Sequence, residues 1–410
     1  MWNKLPGAYV MLKNTNIVKM ANQALVLDSI KKNKKITTEE IINQTRLSRT
    51  TVLTMMKELS QQKLIEKRGN VRQSVGRQPI LYSLSRDVYY AIGIDIDVAP
   101  IYMAISRLDG SIAYSRQWEV SENADGREIK DSVIEHVSRA FVEAKISRDK
   151  IIGMGIGLPG VMNLQQNIAE KISRIRGWEN YDIARELGEA FDFPIYVRND
   201  THLLGHMEIE SENENMLYIL HRSGIGMAPI INGEVYEGIF GNAGYIGHTR
   251  IGAQGRLCNC GLKDCLEVYC SKRSIEKSYE EITGCKLGYD ALVLAADNGD
   301  EDACEIFRKA GNYFGIGITN AIKTYDILNV VIGDLRCNED HIFFQSIQES
   351  VAENSVNFSV KQPTVRLSIH KKDEYGMGAC QFVLEKFFEQ PKFQTNISEN
   401  GGEWVETMQI

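Results

Sequence analysis

The apolar residues of this chain follow one period as far as Leu84 and another from Ala91 onward, which requires at least two separately built parts. Before the break the spacing is helical. Ala24, Leu25, Leu27 and Ile30 predict a first helix within Asn22 to Ile30, followed by the lysine-rich turn Lys31 to Lys35. Thr37-Thr38-Glu39-Glu40 then reads as an N-cap with acidic residues in the first turn of a second helix. Ser48 caps a third, with Val52, Leu53, Met56 and Leu59 on the packing side and Arg49, Thr50, Thr51, Thr54 and Lys57 on the other. Leu64 to Glu66 and Ile80 to Leu84 predict two short strands flanking a basic, glycine-containing hairpin at Lys67 to Gln78.

Three helices and a hairpin spell a winged helix-turn-helix over residues 1–88. Hydroxyls and cations near the start of the third helix suit base edges, and Arg72 and Arg77 on the wing suit phosphate or the minor groove. Candidate DNA contacts are therefore Ser48, Arg49, Thr50, Thr51, Thr54, Lys57, Arg72 and Arg77. Charge agrees. The first 88 residues hold sixteen Lys and Arg against six Asp and Glu, a net of +10, and the rest holds 31 against 48, a net of −17. A basic head on an acidic body predicts that the head alone meets a polyanion such as double-stranded DNA.

Ser85 to Tyr90 reads as a linker. Beyond it Ala91 to Ile96, Ile101 to Arg107, Ile112 to Val120 and Ile151 to Gly157 are buried-strand patterns, with a helix at 128–145. Strands followed by crossover helices recur to about residue 335, predicting an α/β body with a mixed sheet. Ala91 and Met216 both open a strand–turn–strand unit, so the body divides into halves at 89–205 and 206–390, with a loose tail at 391–410. No apolar run reaches the ~18 residues of a membrane span, and the N-terminus lacks a secretory pattern, so a cytoplasmic protein is expected.

Eight cysteines in 410 residues do not make a disulfide scaffold, but Cys258, Cys260 and Cys265 fall within eight positions. With His248 upstream they supply three thiolates and an imidazole, the closed tetrahedral set of structural zinc. His248, Cys258, Cys260 and Cys265 are the expected Zn2+ ligands.

Four segments carry a resemblance. Gly153 to Gly160, Arg198-Asn199-Asp200, Ala243 to His248 and Cys258 to Glu267 stand in the order and spacing of the ROK family of bacterial sugar kinases and sugar-controlled repressors. From about Leu12 to Phe388 the chain is similar to the repressor branch, which adds an N-terminal winged helix. The resemblance implies a two-lobed, actin-like, sugar-kinase-like body with a small carbohydrate in the cleft. It assigns sugar hydroxyls to Asn199, Asp200 and Glu267, with His248 touching both sugar and zinc. In the kinases Asp200 matches the catalytic base. The family also implies a homodimer, and the sequence accommodates a tetramer equally.

Two departures stand out. The glycine pair of the family's phosphate loop is absent from Asp95-Ile96-Asp97-Val98-Ala99, where Asp97 adds negative charge, and the later glycine pair reads Gly333-Asp334. Tyr245 replaces the family's sugar-binding glutamate, either stacking on a sugar or filling its space. The expectation is a sugar-responsive repressor without catalytic residues. A sugar kinase with an added head, and a constitutive repressor with a decayed sugar site, stand as alternatives.

Overall fold

The computed structural model describes residues 15–70, 79–97, 100–121, 123–252, 254–355 and 361–389. They group into two compact units, residues 15–88 with 384–389 and residues 89–383.

In the first unit, α1 (Thr15–Asn33), β1 (Ile36–Thr37), α2 (Thr38–Thr45) and α3 (Arg49–Gln61) precede β2 (Ile65–Asn70) and β3 (Ile80–Leu84). The three strands form an antiparallel sheet in the order β1-β3-β2. Local chemistry fixes the helix ends. Thr37 and Glu40 form a reciprocal capping box at α2, with the Thr37 backbone N–H donating to the Glu40 carboxylate at 2.8 Å. Arg46, in the left-handed region at φ 56°, ends that helix, and Ser48 caps α3 by accepting from the Thr51 N–H at 3.1 Å. Val26, Leu27, Ile30, Ile41, Val52, Met56, Leu59 and Leu64 are buried.

Two apolar assignments shift. Leu25 is 48% exposed while Val26 is buried, and Leu53 is 50% exposed while Met55 is buried. In each case neighbouring apolar residues compete for the inward position, and packing selects the phase. Ser85 donates its backbone N–H to Leu64 and Tyr90 opens the next sheet, so both ends of the expected linker are structured. Arg72, Arg77 and most of the hairpin, with the tail at 391–410, lie outside the described residues.

The second unit holds two five-stranded sheets built to the same plan. The first contains β4 (Tyr90–Ile96), β5 (Ile101–Arg107) and β6 (Ile112–Trp118) as an antiparallel meander. After α4 (Gly126–Glu143), β7 (Ile151–Leu158) lies parallel to β4. A small sheet of β8 (Val161–Asn163), β9 (Ile168–Lys171) and β10 (Glu179–Tyr181), then α5 (Ile183–Ala190), lead to β11 (Ile195–Asn199), parallel to β7. The helix α6 (Asp200–His206) follows directly.

The second sheet repeats the plan. Its meander is β12 (Met216–His221), β13 (Ile225–Ile231) and β14 (Glu234–Val235). After α7 (Glu267–Cys270), α8 (Lys272–Thr283), α9 (Tyr289–Asp297) and α10 (Glu301–Tyr325), β15 (Asn329–Gly333) runs parallel to β12. β16 (Thr364–Leu367) lies beyond α11 (Ile342–Asn354) and parallel to β15. Strand orders β11-β7-β4-β5-β6 and β14-β13-β12-β15-β16 are the same pattern in mirror notation. Each sheet has its own apolar core, around Ile92, Ile94, Met154 and Ile156 in one and Leu217, Ile219, Phe307 and Phe343 in the other.

The last helix, α12 (Gly376–Glu389), departs from a simple division at residue 206. It returns to the first sheet, where a side chain at Gly93 would overlap Gly376 and Cys380. The bare glycine face of β4 admits the helix backbone, and Gly155 does the same against Ala379. No helix among the described residues is long and apolar enough to cross a membrane.

Candidate functional site: a charged cleft beside a cysteine–histidine loop

In both sheets the parallel strands end at the same place. Asp95 lies near the end of β4 and Asn199 ends β11, while Arg222 follows β12 and Asp334 follows β15. Carboxyl ends of parallel strands are where open α/β folds bind ligands, because the loops there are free to vary while the strands stay fixed. Here they surround a cleft whose lining includes Asp97, Asn199, Asp200, Arg222, Tyr245 and His248.

Arg222 forms the floor. Its buried guanidinium lies 2.7 Å from Asp95, 3.3 Å from Asp200, 3.5 Å from Asp334 and 3.7 Å from Asp97, with its Cζ 5.0 Å from the Tyr375 ring centre. Asp334 also receives Lys272 at 3.0 Å and Arg336 at 2.8 Å. Burial raises Asp95 to about 7 despite the opposing pull of Arg222. Asp200 is likewise raised, first by burial. Burial pushes Asp334 the same way, but Lys272, Arg222 and Arg336 outweigh it and hold its carboxyl well below the usual range. Burial lowers Lys272 to about 8. The negative charge that Asp97 adds is thus met by a cation.

Above this floor stand the expected sugar residues. Asn199 uses its Oδ1 to cap α6, accepting from the N–H groups of Thr201 at 3.0 Å and His202 at 3.3 Å. Asp200 Oδ1 accepts from the Thr201 N–H at 2.7 Å, and its Oδ2 faces Arg222. Glu267, at the start of α7, reaches the cleft beside Arg174, 4.0 Å away, while Arg174 lies 4.0 Å from Asp97 on its other side. Any side chain at Gly224 would overlap Arg174 and crowd Glu267, so the glycine keeps that space open. Tyr245 is pinned, with its hydroxyl lying 2.6 Å from the Gly160 carbonyl and 2.9 Å from Asn242 Oδ1. Asn242 in turn donates to the Met162 carbonyl and accepts from the Met162 N–H. Tyr245 therefore joins the β14–α7 connection to the first sheet's β7–β8 turn, and its ring lines the cleft.

Beside the cleft, the ligand atoms of His248, Cys258, Cys260 and Cys265 lie within 4.8 Å of one another. His248 Nδ1 is 3.7 Å from Cys258 Sγ, and the Cys260 and Cys265 sulfurs are 3.6 Å apart. Metal–sulfur bonds of ~2.3 Å in tetrahedral geometry put ligand atoms roughly 3.7 Å apart, so the four side chains fit one metal ion. Buried Asp264 shapes the loop, accepting from the N–H groups of Gly255 and Arg256 and from the Tyr269 hydroxyl at 2.6 Å. His248 belongs both to this cluster and to the cleft lining.

On the first unit, Ser48, Arg49, Thr50, Thr54 and Lys57 lie exposed along α3 with Leu53, while Thr51 is half-buried. Thr51 Oγ1 bonds Ser48 Oγ at 2.8 Å, which places it in the cap rather than on the open face. Arg49 pairs with Glu39 of α2 at 3.1 Å. Arg222, Arg174 and Asp264 are residues that sequence reasoning missed, and Asp334 is legible there only as the replacement of a family glycine. Each draws its meaning from partners brought together by the fold, and only the turn Ser223-Gly224-Ile225-Gly226 marks the neighbourhood of Arg222.

Comparison with known proteins is consistent across the chain. Residues 91–386 match the model of the ROK family. The chain is 26% identical to the xylose repressor of Bacillus subtilis over 346 residues, covering 83% of this chain and 89% of that one. It is 22% identical to the N-acetylglucosamine repressor of Escherichia coli O157:H7, covering 90% and 94%. In fold it resembles a ROK family transcriptional regulator described as a homologue of the E. coli MLC protein (TM-score 0.78, 20% identity, 91% and 97% covered). It also resembles a ROK hexokinase from Thermus thermophilus (TM-score 0.58, 24% identity, 71% and 96% covered).

Proposed function

The chain belongs to the ROK family, and from that membership we propose that it is a sugar-responsive transcriptional repressor of carbohydrate-utilisation genes. The observation that carries the reading is coverage. Likeness to the named repressors takes in the head as well as the body, whereas the hexokinase accounts for 71% of the chain. Three helices and an antiparallel hairpin sheet support a winged helix-turn-helix, with α3 as recognition helix. Ser48, Arg49, Thr50, Thr54 and Lys57 are its proposed DNA contacts, and Thr51 acts through the cap. Arg72 and Arg77, outside the described residues, complete the proposed set.

In the body, Asp200, Glu267 and the Asn199 amide offer donors and acceptors for vicinal hydroxyls, with Tyr245 and His248 on the walls. Burial makes an unmatched polar group costly, so such a pocket discriminates by the hydroxyl pattern of its ligand. Zinc in the His248, Cys258, Cys260 and Cys265 set would fix the loop between β14 and α7, and with it His248 and Glu267. A dimer or tetramer in the cytoplasm, reading paired half-sites, completes the account.

A kinase reading has less support, since the named relatives that cover 83% and 90% of the chain are repressors, while the hexokinase covers 71%. Val98 and Ala99 of the altered phosphate loop lie outside the described residues. Binding of the full chain to DNA from upstream of its own gene, against random DNA over a salt series, tests the regulator reading. Specific binding with a steep salt dependence supports it. Equal binding to both DNAs, with sugar-stimulated ADP release, would replace it with the kinase.

A further inference from the structure

Four carboxylates converge on one guanidinium at the cleft floor, and the arrangement is unequal. Asp334 has Lys272 and Arg336 besides Arg222, and Asp97 has Arg174 at 4.0 Å. Asp95 and Asp200 have no cation other than Arg222 within 4.0 Å among the described residues. Those two belong to the first sheet, on β4 and at the start of α6, whereas Arg222 and Asp334 belong to the second. The groups facing Arg222 are Asp95 from β4 and Asp97 directly after it, Asp200 from α6, Asp334 and Arg336 from the turn after β15, and Lys272 from α8. Tyr375 ahead of α12 and Tyr102 on β5 complete its surroundings.

Carboxylates gathered from separate strand ends are the donor set that elsewhere holds a hard divalent cation. We propose that Arg222 is the body's built-in counter-cation, filling from within the chain the place of a divalent ion and tying the two sheets together at the cleft floor. Burial makes the tie strong in one direction only. Removing the guanidinium leaves Asp95 and Asp200 buried without a counter-charge, so that they must either repel each other or take up protons, whereas its presence makes the floor independent of dissolved metal. Because Asp200 Oδ2 is held by Arg222 while Oδ1 is held by Thr201, the same guanidinium fixes the carboxylate that the cleft offers to a ligand. That last consequence rests on the effector reading above, and the counter-cation role does not.

Thermal unfolding of the full chain and of Arg222→Gln and Arg222→Lys, from pH 5 to pH 8 with and without millimolar Mn2+, tests the proposal. Wild type should be indifferent to Mn2+. In Arg222→Gln, Tm should fall below wild type by on the order of 10 °C at pH 8 and by less at pH 5, where protonation removes the repulsion. Mn2+ should restore much of the loss, and Arg222→Lys should restore part of it without metal. An Arg222→Gln protein with the wild-type pH profile and no response to Mn2+ would overturn the proposal, as would a wild type that Mn2+ stabilises equally. If Arg222→Gln alone is not recovered folded, adding Asp95→Asn should rescue it, and failure of that rescue would contradict a charge-balancing role. A wild type whose DNA binding no sugar shifts would defeat the effector reading and leave these outcomes unaffected.

Discussion

Arg222 Nη2 lies 2.7 Å from Asp95 Oδ2, joining the end of β12 in the second sheet to the end of β4 in the first, with both side chains buried. The contact closes the floor of a cleft whose walls carry Asn199, Glu267, Tyr245 and His248. A buried pair of this kind stabilises little against an apolar substitute, but breaking one side is expensive. It therefore makes the cleft sensitive to charge at a defined position.

The pH dependence follows from Asp95. Its folded pKa is raised to about 7 by burial, against an ordinary value of 3.8. A raised carboxyl contributes stability that is complete below the unfolded pKa and is lost as pH rises through the folded one. Asp334, held low by its cations, contributes with the opposite sign and is lost only in acid. The predicted result is a fall in Tm from about pH 4 to about pH 7 that levels off above it, and a shallower fall in Asp95→Asn. A fall of unchanged steepness in that variant would assign it elsewhere.

The metal site gives a second expectation. Cys260→Ser should reduce zinc, measured by elemental analysis of the purified protein, from about one per chain to a small fraction. It should also lower Tm by several degrees, since a structural zinc contributes directly to folding. A zinc-replete variant of wild-type stability would remove the four-ligand assignment.

Charge on the recognition face can be tuned from α2. Arg49 pairs with Glu39, 3.1 Å away and exposed. Glu39→Ala should release it and tighten DNA binding modestly, within about threefold. Arg49→Ala should cost about 1–3 kcal/mol on specific DNA and much less on random DNA. Equal losses on both would make Arg49 a phosphate contact.

The capping box makes a stability prediction independent of function. Thr37→Ala removes one acceptor for the Glu40 N–H and should cost the head about 1 kcal/mol in chemical denaturation. An unchanged midpoint would show that the cap is redundant with the β1–β3 pairing.

Legibility in the sequence tracked distance along the chain. Thr37 with Glu40, Ser48 with α3, and the dense Cys258 to Cys265 run are local patterns, and each appears where its spacing predicts. Leu25 and Leu53 were misplaced because an apolar residue beside another fits two helical phases, and only packing decides between them. Arg222 was invisible for a different reason. Its partners at 95, 97, 200 and 334 lie on three separate segments, and a lone arginine after an apolar strand ordinarily points to solvent. Tyr245 was legible as a departure but not as a bridge, because its acceptors, Gly160 and Asn242, lie on two different connections.

The most direct test is fluorescence anisotropy of the full chain on its upstream DNA, repeated with a panel of pentoses, hexoses, amino sugars and disaccharides, and with Asp200→Asn alongside. The account predicts that one sugar shifts specific binding at least tenfold in wild type. Asp200→Asn should bind the same DNA within about twofold yet lose the response, since the differential affinity that drives the switch is gone. Specific DNA binding that no sugar moves, or a response that persists unchanged in Asp200→Asn, would contradict it.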